Sequence, residues 1–246
     1  MIRSMPATAP VAVIFDWDNT LVDSWSCIHV SINITLEAMG QAPWTIDEAK
    51  QRVRRSMRDS FPILFGDRWE EARKIFYDHF AAHHMTDLTA LPGAEALLQT
   101  LHELGIYAGV VSNKTGRFLR EEVEALGWNR YFGRVVGATD ATADKPAVDP
   151  VILALAPAGL TLDTLIRERT WFVGDADIDM QCAHAAGCLP VLVGNGDNCD
   201  FTDYPPGYRL DSCSALSTMV RQLVNPVASP HVSNDMVNKP VLVPCT

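Results

Sequence analysis

The chain has 246 residues, with 30 acidic and 20 basic side chains, a formal net charge of -10 and 48% hydrophobic residues. A composition this apolar excludes an intrinsically disordered chain, and the acidic balance argues against general nucleic-acid binding, which needs basic surface for phosphate backbones. The length suits one large domain or two small ones, with a core that needs no cross-links.

The opening MIRSMPATAP has one arginine and no apolar segment. The longest apolar runs are about six residues, far short of the ~18 that span a bilayer. The six cysteines, at 27, 182, 188, 199, 213 and 245, include no C-x-x-C pair. A cytoplasmic protein with reduced thiols and no membrane partner is expected. Val11 to Phe15 is a continuous β-branched and aromatic run, which suits a strand buried on both faces. Residues 24–89 read as mostly helical, with a capping box at Thr45-Ile46-Asp47-Glu48 and a helix over Trp69 to His83. From Leu91 the texture alternates. Pro92-Gly93 opens a helix that runs to about Leu104 and stops at Gly105. Ile106 to Val111 is a strand, 115–126 a helix closed by Gly127, and Val135-Val136 a short strand. Trp171 to Val173 is another strand, 178–186 a helix ended by Gly187, and Leu189 to Val193 a further strand. Strand–helix alternation predicts an α/β fold, a doubly wound Rossmann-like parallel sheet over 8–23 and 90–225. The helical stretch 24–89 interrupts it as an inserted cap domain, and 226–246 reads as an extended or disordered tail.

Four polar clusters sit at or after strand ends, where ligands bind in open α/β sheets. Asp16-Trp17-Asp18-Asn19-Thr20 follows the first strand and offers two carboxylates two residues apart, suited to divalent metal, nucleophilic or acid–base work. Alone it is as readily a polar turn. Ser112-Asn113-Lys114 follows Val111 and offers a hydroxyl, an amide and an ammonium for an oxyanion at an expected helix start. Alone it is a helix cap. Lys145-Pro146-Ala147-Val148-Asp149-Pro150 holds a lysine on a stiff loop. Gly174-Asp175-Ala176-Asp177-Ile178-Asp179 supplies three alternating acids at a strand-to-helix turn. These are hard oxygen donors that fit Mg²⁺, and they exceed what helix capping needs.

Together the four segments FDWDNTLVDS, VVSNK, DKPAVDP and VGDADIDMQCAHAAG resemble the signatures of haloacid dehalogenase superfamily hydrolases, in the phosphoglycolate-phosphatase-like branch with a helical cap after the first motif. The resemblance covers residues 10–225. It implies a Mg²⁺-dependent phosphomonoester hydrolase acting on a small phosphorylated metabolite. Asp16 would be the nucleophile, forming an aspartyl-phosphate, and Asp18 the general acid and then base. Thr20 would support the loop, Ser112 would bind a phosphoryl oxygen, and Lys145 would neutralise charge. Asp16, the Asp18 carbonyl and Asp175 would hold Mg²⁺, with Asp179 orienting water around it. Asn113 and Lys114 resemble residues that line the site. Val148 departs from the Lys-Pro-x-Pro pattern of this branch, which predicts a looser loop around Lys145. A sugar phosphomutase, a phosphoacceptor signalling module and a non-catalytic phospho-ligand-binding protein are the competing readings. Asn19-Thr20, the position of Asp16 after the first strand and the full catalytic set argue against each in turn.

Lys50 to Arg58 carries five bases and no acid. It reads as one cap-helix face, from which Arg54, Arg55 and Arg58 could meet a second anionic group on the substrate; Arg55 and Arg58 are the substrate-binding candidates. His79 and His83 have the i, i+4 spacing of a zinc pair, with His84 beside them. With no third ligand evident, a solvated or partner-facing helix is expected. Trp17, Trp25 and Trp44 read as core packing before pocket lining. Residues 140–211 hold twelve acids and four bases, and Asp177, Asp197, Asp200, Asp203 and Asp211 read as solvated. The oligomeric state expected is monomer or homodimer.

Overall fold

The computed structural model describes residues 6, 8–86, 88–196 and 199–225; the expected tail lies outside them. The chain opens with β1 (Ala12–Phe15) and a two-residue strand β2 (Val22–Asp23). Four helices follow, α1 (Trp25–Ala38), α2 (Ile46–Arg52), α3 (Met57–Phe65) and α4 (Trp69–His83), before β3 (Thr89–Ala90). Alternation then takes over: α5 (Ala94–Glu103), β4 (Tyr107–Thr115), α6 (Gly116–Ala125), β5 (Arg134–Ala138), α7 (Asp149–Leu155), α8 (Thr164–Arg169), β6 (Thr170–Gly174), α9 (Asp177–Ala186), β7 (Leu189–Val193), β8 (Tyr208–Leu210) and α10 (Cys213–Val224).

Six strands form one parallel sheet in the order β5-β4-β1-β6-β7-β8. The chain winds outward from β1 in one direction and then in the other, so the strand order reverses at β1. The alternating side chains of β1 explain why it sits in the middle. Val13 and Phe15 join the apolar cluster formed with α5, α6 and α10, while Ala12 and Ile14 join the one formed with α7 and α9. All four residues are fully buried. A strand without a polar face can only be a central one.

The helical block α1–α4 has its own apolar cluster, built on Ile32, Leu36, Phe61, Phe76 and Phe80. The Thr45 capping box is present: the Thr45 hydroxyl accepts from Glu48 N–H and the Glu48 carboxylate accepts from Thr45 N–H. The block leaves and re-enters through β2 and β3, which pair antiparallel, Val22 with Ala90 and Asp23 with Thr89.

The structure corrects three local expectations. Lys50 to Arg58 is not one helix face: α2 ends at Arg52, Val53 has left helical geometry, and α3 begins at Met57 after the Ser56 cap. Ser112-Asn113-Lys114 is not a helix start, because β4 continues through a bulge between Val111 and Thr115 and α6 begins at Gly116. Val111 and Thr115, on either side of the bulge, pair with Val136 and Ala138 of β5 and hold the segment between them in the strand. Val148 does not loosen its loop. It packs on the second apolar cluster, and its carbonyl accepts from the N–H groups of Val151 and Ile152, closing the first turn of α7. Helices α7, α8 and α10 and strand β8 extend the fold where the sequence reading named no element.

Close backbone approach fixes the junction of β5 with α6. A Cβ on Gly137 would lie 2.3 Å from the Gly116 Cα and 2.7 Å from the Lys114 carbonyl oxygen. Gly137→Ala is expected to lower unfolding free energy by about 1–3 kcal/mol, the usual cost of overpacking, measured by urea denaturation; unchanged stability would show that the junction yields.

Candidate active site

The reversal of strand order at β1 opens a crevice at the carboxyl ends of β1, β4 and β6. Asp16 directly follows β1, Asp175 follows β6, Asp179 sits in the first turn of α9, Ser112 lies late in β4, and Lys145 is on the loop before α7. One carboxylate oxygen from each of Asp16, Asp175 and Asp179 lies within 4.8 Å of the others. Among the described residues this is the only such group of three or more metal-capable side chains. The Lys145 ammonium donates to Asp16 Oδ1 at 2.5 Å and to Asp179 Oδ1 at 2.7 Å. The Thr20 hydroxyl donates to Asp175 Oδ1 at 3.3 Å. Asp179 Oδ2 accepts from Ala176 N–H at 3.1 Å, which fixes the carboxylate to its own helix turn. Gly174 admits that turn: a Cβ there would stand 2.3 Å from the Asp179 Cβ. Asn19 turns the loop back at φ 61°, a left-handed conformation that asparagine tolerates better than most side chains.

Burial dominates the electrostatics, and charge crowding adds to it. Burial pushes the Asp16 carboxyl up to about 7; Lys145 opposes the shift, and Asp179 and Asp18 add to it. Burial also pushes Asp175 well above the usual carboxylate range, reinforced by Asp179 and Asp16. Burial alone would lower Lys145, but Asp16 and Asp179 outweigh it and hold the ammonium charged. Three acidic oxygens against one ammonium leave an excess of negative charge. Hard carboxylate oxygens at this spacing suit Mg²⁺, and a divalent cation would relieve the crowding.

A second buried lysine stands beside the first motif. The Lys114 ammonium is 2.6 Å from Asp18 Oδ1 and donates to Glu122 at 2.6 and 2.9 Å. Glu122 is 1% exposed. It also accepts from the Trp17 indole N–H at 2.6 Å and is bonded to His84 Nδ1 at 2.9 Å. One carboxylate therefore ties together the first motif, the lysine late in β4 and the end of α4. The sequence reading missed Glu122 and misplaced His84, which is buried between Glu122, Phe80 and Phe118 instead of facing solvent. Glu122 was detectable only as a charged residue on the apolar face of α6. His79 is bonded to Ser31 Oγ and His83 to the His79 carbonyl, and no histidine belongs to a metal-capable group among the described residues.

Other contacts hold the helical block on the sheet. Arg54 pairs with Asp177 at 2.7 Å and Arg58 with Asp144 at 2.6 Å. Asn113 donates its amide N–H groups to the carbonyls of Arg54 and Lys145, and Tyr77 and Thr115 share a hydrogen bond. Two expectations change here. Asp177 is an ion-pair partner, not a solvated acid. Arg58 is taken up by Asp144 and does not line the cavity over the carboxylates, whereas Arg54, Arg55, Asn113, Lys114 and Trp25 do. Trp17 and Trp44 are core residues; Asp200, Asp203 and Asp211 are exposed, and Asp197 lies outside the described residues.

The haloacid dehalogenase-like hydrolase family model matches residues 13–193. The chain belongs to this family. A phosphoglycolate phosphatase of Pseudomonas putida is 27% identical over 86% of this chain and 80% of its own length, and one of Cereibacter sphaeroides is 30% identical over 75% and 85%. A haloacid dehalogenase superfamily hydrolase from Ehrlichia chaffeensis superposes with TM-score 0.61 at 28% identity, over 89% of this chain and 99% of that one. A family member from Streptococcus pneumoniae shares the fold with TM-score 0.73 at 21% identity, over 87% and 99%. The expectation of a phosphatase in the phosphoglycolate-phosphatase-like branch is met by these matches. No helix among the described residues is long and apolar enough to cross a membrane.

Two measurements probe this hydrolase's site. Glu122→Leu removes the partner of a buried lysine and of an indole N–H, so stability should fall by about 3–5 kcal/mol, read by urea denaturation; a loss under 1 kcal/mol would show that water replaces the carboxylate. Because folding raises the Asp16 carboxyl from 3.8 to about 7, its contribution to stability is full below the lower value and is lost as pH rises to the upper one. The metal-free protein should lose thermal stability over that interval, and saturating Mg²⁺ should restore it most at pH 7 and above. A Mg²⁺ effect equal at pH 4 and pH 8 would contradict a carboxylate site.

Proposed function

We propose that this hydrolase is a Mg²⁺-dependent phosphomonoesterase that works through an aspartyl-phosphate on a small phosphorylated metabolite, of which phosphoglycolate is the first candidate. The convergence of Asp16, Asp175, Asp179 and Lys145 carries the reading, and the relatives named phosphoglycolate phosphatase support its substrate class.

Asp16, the Asp18 carbonyl and Asp175, with Asp179 nearby, are the groups that would hold Mg²⁺, which supplies positive charge to offset phosphate and carboxylates when bound. The Asp16 carboxylate attacks phosphorus, and the phosphorus–oxygen bond to the alcohol breaks as the acyl phosphate forms. Asp18 gives a proton to the departing alkoxide and then takes one from the water that attacks phosphorus, releasing phosphate and restoring Asp16. Lys145 keeps Asp16 aimed and adds positive charge beside the developing oxyanions, and the Ser112 hydroxyl offers them a donor. Lys114 holds Asp18 Oδ1 in place. Thr20 fixes Asp175. Arg55 is free to meet a second anionic group, since no ion pair among the described residues includes it. The helical block acts as the cap, and its contacts to Asp144, Asp177, Thr115 and Glu122 support a closed position that excludes water.

A phosphate-release screen over phosphorylated short acids, sugars and nucleotides, with Mg²⁺ and then with EDTA, tests this. Turnover should need the metal, and Asp16→Asn should reduce kcat by roughly 10⁴-fold or more with an unchanged circular dichroism spectrum. Silence across the panel, or an active Asp16→Asn enzyme, would overturn the mechanism.

A further inference from the structure

The cavity above the carboxylates is larger and less polar than a two-carbon phosphoester needs. Its volume is about 400 Å³, within the ~300–1,000 Å³ of clefts that take drug-sized ligands. One end is the charged floor already described. The other runs into the helical block, among Ile28 of α1, Phe61 and Leu64 of α3, and Phe76 and Phe80 of α4. None of these five side chains carries a polar atom, so water at this end has few partners to bond. Most basic side chains of the wall are engaged by neighbours, Lys114 by Asp18 and Glu122, while Arg55 has no ion-pair partner among the described residues. Arg54 is held by Asp177, Lys50 lies over the Trp25 ring and Arg52 over the Trp44 ring. A highly polar two-carbon acid would occupy the floor and leave this apolar end unused.

We infer that the alcohol released from the substrate carries an apolar body, aromatic or branched-alkyl, seated among Ile28, Phe61, Leu64, Phe76 and Phe80 while its phosphate meets Asp16 and Lys145. This inference rests on the phosphomonoesterase reading and puts an ester of an apolar alcohol ahead of phosphoglycolate as its substrate. Specificity then comes from area removed from water inside the helical block, with the charged floor common to every substrate. The rival account is a packing void within the block's own aromatic cluster, and it makes the opposite prediction for a substitution that fills the space.

The test uses the full chain with Mg²⁺. Primary n-alkyl phosphates from ethyl to octyl have leaving groups of nearly equal acidity, so their kcat/KM values report binding of the alkyl body. Calorimetry with the matching n-alkylphosphonates reads the same pocket without turnover. The expected result is a rise in kcat/KM of about fourfold per added CH₂ group until the cavity is full, with phosphonate Kd falling in parallel. Leu64→Trp, which fills the apolar end, should cut octyl phosphate turnover at least tenfold relative to ethyl phosphate. Ile28→Phe serves the same purpose if Leu64→Trp does not fold. A flat or falling series in the unsubstituted enzyme, with phosphoglycolate hydrolysed, overturns the inference and leaves the phosphatase reading intact. A filled variant with raised Tm and the same chain-length series as the parent also overturns it, in favour of a void. Graded phosphonate binding with no turnover of any ester supports the apolar seat and overturns the phosphatase reading instead.

Discussion

A single ammonium, that of Lys145, stands between carboxylates that would otherwise repel one another. It touches Asp16 and Asp179 at once, and both partners are buried with it. Buried charges persist only when paired and hydrogen-bonded. The elements that carry these residues are therefore held to a narrow geometry: β1 must end where the loop before α7 arrives, and α9 must start close enough to β6 for Asp179 to reach across. Gly174 permits that approach. The centre of the sheet and the centre of the chemistry coincide because the strand with no polar face is also the one whose end carries Asp16.

A second lysine, on β4, repeats this logic where the sheet meets the helical block. Lys114 links Asp18 to Glu122, and Glu122 links Lys114 to Trp17 and His84. The state of the block and the orientation of the proposed general acid thus share one buried hydrogen-bond network. The acidic excess over 140–211 also takes on a local meaning. Asp144 and Asp177 bind Arg58 and Arg54, so part of that charge clamps the block onto the sheet. Of the other acids of the stretch, Asp175 and Asp179 belong to the site, Asp140 pairs with Arg120, and Asp200, Asp203 and Asp211 are exposed.

Much of this was legible in the sequence. Runs such as Val11 to Phe15 and Leu189 to Val193 declared buried strands by composition, and the four polar clusters declared where the strands end. The residues brought together at the crevice are those the motifs named: Asp16, Thr20, Asp175, Asp179 and Lys145. What stayed hidden depends on partners distant in the chain. Glu122 reads as one of several acids along α6 until the fold places Trp17, His84 and Lys114 around it, 105, 38 and 8 positions away. Arg58 reads as a substrate ligand until Asp144 takes it. The three residues Ser112 to Lys114 read as a helix cap by local preference, but the pairing of Val111 and Thr115 with β5 on either side overrides that preference.

The short pair β2–β3 separates two parts of the molecule that face different demands. The helical block departs at Asp23 and returns at Thr89, and these residues are cross-strand partners. To the sheet, the sixty-odd residues between them amount to a hairpin loop whose ends already meet. Such a doorway leaves the backbone path of β1, and of Asp16 behind it, independent of the length of the insert. Beyond this pair, the insert meets the sheet through contacts, those of Arg54, Arg58, Tyr77 and His84 among them.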